Sequence, residues 1–180
     1  MSKATTRQLD FEVDKLTNSI ESTATGEVFD TQVVRLYAPD IKRLPKRRWL
    51  FDWRIEVREK DREVYALTTV KDPKTIQGLI SISDGEDHIF MNLLESADFN
   101  KGNSKLFAGV PGNLVAFACN RSIECNYKGA VAFESKTKLV EHYEKILSAK
   151  RITDTRMFIG EEEAKELIRR YQNTLYANGS

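Results

Sequence analysis

Two glycines and a proline in KLFAGVPGNLV, Lys105 to Val115, mark the stretch of this 180-residue sequence best suited to chemistry. Gly109 and Gly112 open backbone conformations closed to other residues and let a ligand approach the main chain. The apolar run that follows reads as a helix, so Gly112, Asn113 and Leu114 would present unpaired N–H groups at its positive end. Lys101 or Lys105 could add a countercharge. Such a turn is an anion-binding device, although the same residues also serve as a plain tight turn. Neither G-x-G-x-x-G nor a P-loop ending in Lys-Ser/Thr is present, which excludes the nucleotide hydrolases built on them.

Charge is patterned around that loop. From Thr75 through Asn100 there is no Lys or Arg, yet the stretch holds Asp84, Glu86, Asp87, Glu95 and Asp98, a local field that favours a cation. Between Lys42 and Arg62 the sign reverses, with nine basic residues against four acidic ones. Trp49, Leu50, Trp53 and Val57 recur there at helical spacing, so the segment reads as a solvated charged face over a core stripe. The alternative is a contact with nucleic acid, phosphates held by the cations and bases stacked on the tryptophans. His88 and His142 lack Cys or carboxylate neighbours at zinc-ligand spacing, and no metal is expected. Cys119 falls inside an apolar helix and reads as an inert buried thiol; no disulfide with Cys125 is expected.

These residues need elements to hold them. Residues 1–27 are polar and ambiguous, since Leu9, Phe11 and Val13 alternate like a strand while Val13, Leu16 and Ile20 keep helical spacing; they are read as an extension. A strand is expected from Val28 to Leu36 and a short helical turn from Pro39 to Leu44. Three strands follow, Glu63 to Val70, Ile76 to Ser83 and His88 to Leu94, separated by Asp72-Pro73 and Asp84-Gly85. After the glycine loop come a helix ending near Asn126, a strand from Gly129 to Ser135 and a helix from Thr137 to Leu147. A strand around Thr155 to Ile159 and a helix from Glu161 to Leu175 complete the order. Strands first and a strand–helix–strand unit later imply an α/β or α+β fold on a sheet of mixed direction, with residues 28–180 as one domain.

Composition sets the outer bounds. With 41% hydrophobic and 31% charged residues the chain should fold alone, and a net charge of +1 gives no global pull toward polyanions. The first thirty residues lack the apolar core of a signal peptide and no run of 18 apolar residues occurs, so a cytoplasmic protein without a membrane partner is expected.

The order of elements and the loop together resemble the GNAT family of N-acetyltransferases over roughly Val28 to Ile159. In that family a strand ending in a carboxylate leads to Arg/Gln-x-x-Gly-x-Gly/Ala and then to a helix. Here Gly109 takes the first glycine, Pro111 falls on the second position, Leu106 stands for Arg or Gln, and Leu114-Val115 match the apolar pair. EHYEKILSA, Glu141 to Ala149, is similar to the family's Phe/Tyr-Tyr-Glu-Lys-x-Gly-Phe/Ala segment, with Ser148 in the glycine's place.

The resemblance implies a strongly twisted mixed sheet flanked by helices, and acetyl-CoA as co-substrate in a splayed gap between the strand ending at Glu95 and the strand near Gly129. Asn92, Leu93 and Leu94 would hold the pantetheine arm; Gly109, Val110, Gly112, Asn113 and Leu114 would hold the diphosphate. Glu95 would act as base and Tyr143 as the acid that protonates the leaving thiolate. The acceptor would be a primary amine on a small molecule or a protein, transferred to directly. An amino-sugar, a polyamine, a protein lysine and a tRNA-linked amine all remain open, as does a homodimer through the terminal helix. The departures at Leu106, Pro111 and Ser148 also allow a binding or regulatory protein that keeps the fold without turnover.

Overall fold

The computed structural model describes residues 6–14, 16, 19–171 and 174–176. In the first segment the strand reading holds. Leu9, Phe11 and Val13 point inward while Asp10 and Glu12 face solvent, and β1 (Gln8–Leu9) pairs with the main sheet. The expected strand from Val28 divides at Asp30. Its first part, β3 (Val28–Phe29), joins β2 (Ile20–Ser22) in a small sheet, and β4 (Thr31–Leu36) enters the large one. The described strands of residues 1–27 thus pair with both sheets.

Pro39 opens α1 (Ala38–Lys42). The helix expected through Trp49, Leu50, Trp53 and Val57 starts later than the periodicity implies. Pro45 leads into a 3-10 turn at Lys46–Arg48, and Asp52 caps α2 (Trp53–Arg58) by accepting from the Arg54 amide at 3.1 Å. Trp53 is buried, whereas Leu50 lies in the loop and is 84% exposed. Beneath α2, the Arg62 guanidinium pairs with the Glu56 carboxylate, with both side chains almost fully buried.

The meander forms as its turn residues predict: β5 (Arg62–Thr69), β6 (Ile76–Asp84) and β7 (Ile89–Ser96) are sequentially antiparallel. The short β8 (Phe107–Ala108) then pairs with β2, and α3 (Val110–Glu124) starts from Gly109. Next come β9 (Val131–Ser135), α4 (Val140–Leu147), β10 (Lys150–Arg151) and β11 (Arg156–Ile159). Helix α5 (Glu161–Arg170) has three glutamates in its first turn and two arginines in its last, the order the helix dipole favours. It stops short of Leu175, because residues 174–176 form β12 (Thr174–Tyr176), parallel to β4.

Among the described residues the large sheet runs β10-β11-β9-β7-β6-β5-β4-β12, with β1 attached to β9. It is mixed as expected, mostly antiparallel, with parallel pairs β7–β9, β1–β9 and β4–β12. The β7–β9 pair covers only Ile89↔Val131 and Phe90↔Ala132, after which the strands part. A register shift in the β6–β7 ladder leaves Asn92 as a bulge, since Met91 pairs with Ile82 and Leu93 with Ser81. No helix among the described residues is long and apolar enough to cross a membrane.

Helix α3 lies against the sheet, and Cys119 in its interior is wholly buried. Burial pushes the Cys119 thiol up to about 12, which disfavours the reactive thiolate there. Iodoacetamide at pH 8 is expected to label the half-buried Cys125 first and Cys119 only on unfolding, read by peptide mass spectrometry. Equal labelling rates in the native chain would contradict this placement.

Candidate active site

The parting of β7 and β9 opens a cleft at their C-terminal ends, and most of the expected site residues surround it. Asn92, Leu93 and Leu94 are buried on β7, followed by Glu95. Across the cleft, the Tyr143 ring on α4 is fully buried, 5.2 Å from the Phe133 ring on β9. Gly109 stands at the mouth as the N-cap of α3 with φ 94°, the left-handed conformation that its place before the helix requires. Val110, Gly112, Asn113 and Leu114 continue from it and are all buried.

The cleft is filled by the protein's own residues 8–14. Gln8 and Leu9 pair in parallel with Glu134 and Ser135, and Lys136 N donates to Leu9 O at 3.0 Å. Phe11 packs on Tyr143, with ring centroids 4.9 Å apart, and its carbonyl accepts the Tyr143 hydroxyl at 2.5 Å. Burial, with the negative charges of Asp10 and Glu12 nearby, raises the Tyr143 phenol well above its ordinary value and keeps it a proton donor. The Val13 amide donates to His142 Nε2 at 2.9 Å. Asp14 then places its carboxylate on the glycine loop: Gly109 N donates to Oδ1 at 3.1 Å, and Lys105 Nζ pairs with Oδ2 at 3.1 Å.

The group on the loop is thus the Asp14 carboxylate, held by Gly109 N and Lys105, while the Asn113 amide donates to Gly109 O at 3.0 Å within the first turn of α3. The two departures from the family pattern have visible consequences. Pro111 has no N–H to give, and the Leu106 side chain, where Arg or Gln is usual, is 55% exposed. Gly112 is closely covered: a Cβ there would lie 2.0 Å from the Tyr171 hydroxyl and 3.2 Å from Leu16 Cδ2. Ser148 does make the turn after α4, in the left-handed region with φ 54°.

Glu95 differs from the expected free base. Its side chain is 2% exposed and both oxygens already accept hydrogen bonds. Leu50 N at 2.5 Å and Lys101 Nζ at 3.3 Å reach Oε1; Trp53 Nε1 at 2.8 Å and Phe51 N at 3.4 Å reach Oε2. The carboxylate so fixes the loop before α2 against β7, which explains why Trp53 is drawn inward. Of these four donors only Lys101 is a side chain that reaches solvent, 37% exposed. A cavity of about 310 Å³ lies between Glu95 and Lys101 on one side and Phe11 and Asp14 on the other.

The remaining charged groups sort differently. Asp84 at the hairpin tip accepts from the Tyr127 hydroxyl at 2.7 Å, and that bond holds the Asp84 carboxyl below its usual range. Of the cations in the basic stretch, Arg54 pairs with Asp52, Arg62 with Glu56, and Arg48 sits over the Phe99 ring at 5.1 Å. Lys42, Arg43, Lys46 and Arg47 are exposed. Sequence reasoning missed Phe11, Asp14 and His142 as cleft residues. The strand-like alternation of Leu9, Phe11 and Val13 was the available signal.

This geometry has relatives among solved structures. The chain superimposes on a mutant form of the spermidine/spermine N-acetyltransferase SpeG from Vibrio cholerae with a TM-score of 0.51 and 13% identity, over 76% of this chain and 97% of the other. A chimera of spermidine N-acetyltransferase SpeG from Vibrio cholerae with hSSAT gives 0.47 and 11% identity, over 76% and 98%. No family model and no curated protein sequence matches the chain. The likeness to the first structure defines the architecture as the GNAT N-acetyltransferase fold.

Proposed function

We propose that this protein is an acyl-CoA-dependent N-acyltransferase, held here in a closed conformation, that moves an acetyl group from acetyl-CoA to a primary amine. The observation that carries the reading is the convergence of the Tyr143 hydroxyl, the Asn92 bulge and the anion-holding Gly109 amide on one cleft of an N-acetyltransferase fold. Acetyl-CoA supplies an activated acyl thioester. The residues present fit its diphosphate end, since Gly109 N and Lys105 Nζ already hold an anionic oxygen group there.

The chain's own groups then have defined tasks. Gly109 and Lys105 bind the diphosphate, while the main chain of Asn92 to Leu94, beyond the last β7–β9 pair, orients the pantetheine arm. Tyr143 Oη holds the proton that the leaving thiolate takes. Lys101 marks where an acceptor's ammonium would sit, because an incoming amine replaces it at Glu95 Oε1 and so meets the carboxylate that can relieve it of a proton. The test is amine-dependent release of free thiol from acetyl-CoA across amino-sugars, polyamines, lysine peptides and aminoacylated RNA. Release above the water background with at least one class is expected; none with any class contradicts turnover.

A second reading, a protein of this fold that binds or regulates without turnover, is favoured by one observation: Asp14, Leu16 and Tyr171 crowd the start of α3, where Pro111 gives no donor.

A further inference from the structure

We propose that residues 8–14 are an internal competitor of the cofactor, an extended peptide that occupies the thioester's path group by group and must leave before acetyl-CoA can enter. The inference rests on the transferase reading and adds to it how the cleft is regulated. It begins from chemical correspondence. A pantetheine arm is an amide chain expected along β7 in this gap; β1 fills the same gap from its other side, pairing its main chain with β9. The Tyr143 hydroxyl, expected at the sulfur, is bound by the Phe11 carbonyl. The glycine-loop amide, expected at a phosphate oxygen, is bound by the Asp14 carboxylate, with Lys105 as countercharge. Leu9, Phe11 and Val13 are buried in the same segment, so it brings its own apolar contacts.

Two occupants with the same hydrogen-bond partners exclude one another. Gly109 has one N–H, Tyr143 one O–H, and neither can serve both. The strand pairing does not depend on β1, because β7 and β9 are already joined by Ile89↔Val131 and Phe90↔Ala132, and β1 lies off the path of the main sheet. Its withdrawal leaves the sheet continuous. The apparent cofactor affinity is then the intrinsic one multiplied by the fraction of molecules with the cleft open. Loss of a contact that only the closed state makes must raise that fraction.

Asp14 provides such a contact, and the full chain can be used throughout. Acetyl-CoA dissociation constants of the wild-type chain and of Asp14→Ala are compared by equilibrium dialysis, and amide hydrogen exchange over residues 8–14 and 134–136 is followed in the wild-type chain with and without acetyl-CoA. Competition predicts at least tenfold tighter binding by Asp14→Ala. It also predicts faster exchange at residues 8–14 when the wild-type chain is saturated, the reverse of the protection that a ligand ordinarily brings. Equal affinities together with unchanged or slowed exchange at 8–14 would overturn the competitor and leave the transferase intact. Absence of binding by both proteins at millimolar acetyl-CoA would overturn both, since nothing would remain to compete for. Should Asp14→Ala fold poorly, the exchange result in the wild-type chain decides alone.

Discussion

Tyr143→Phe is expected to lower turnover with acetyl-CoA by at least about tenfold, a floor equal to roughly 1.4 kcal/mol of barrier and beneath the roughly 10²–10⁴-fold that a positioned general acid supplies. Cofactor affinity should hold or rise. The same hydroxyl that would protonate the thiolate is bound to the Phe11 carbonyl in the closed cleft, so its loss removes an acid and loosens the occupant at once. A tyrosine that only packs would behave otherwise. Its ring contacts with Phe11 and Phe133 survive in phenylalanine, and turnover would then be unchanged. Steady-state rates and dissociation constants measured on the same Tyr143→Phe preparation separate the cases: unchanged turnover removes Tyr143 from the chemistry.

The second large effect concerns stability. The Glu56 and Arg62 side chains are 1% and 6% exposed, and their ion pair ties α2 to the start of β5. Glu56→Ala takes away the carboxylate that the buried Arg62 guanidinium pairs with, for which a loss of up to about 3–5 kcal/mol of stability is expected. Replacing both residues, Glu56→Leu with Arg62→Met, should cost less than the single change, because the guanidinium's buried charge goes together with the carboxylate that balanced it. Urea denaturation of the two variants checks the order. A single variant as stable as wild type, or a double variant less stable than the single, would show that the pair carries no such charge penalty.

How far the sequence spoke can be judged residue by residue. The meander was legible because Asp72-Pro73 and Asp84-Gly85 punctuate β-rich runs, and a strand's period is short enough to show between them. The α3 loop was legible because a glycine pair before an apolar helix has few physical meanings. The basic stretch misled, since Trp49 and Leu50 share helical spacing with Trp53, yet Asp52 is a better cap than a helix interior residue and the Leu50 and Phe51 amides before it are spent on Glu95. Nothing local announces a hydrogen bond that spans 45 positions. The cleft's occupant was hidden for the same reason. Asp14 and Gly109 are 95 residues apart, and the two overlapping periodicities around Val13 could be settled only by what the segment packs on. Glu95 and Tyr143 were singled out by resemblance. Their partners, Lys101 and Phe11, came from the fold.

The transferase reading stands on a single physical statement, that the cleft between β7 and β9 accepts a nucleotide thioester with its diphosphate at Gly109. Calorimetric titration of acetyl-CoA into the full-length chain measures this directly. Saturable binding at or below millimolar concentration, abolished when Lys105→Glu reverses the countercharge beside the loop, is the result expected. No heat of binding at millimolar acetyl-CoA, or binding indifferent to Lys105→Glu, would contradict it.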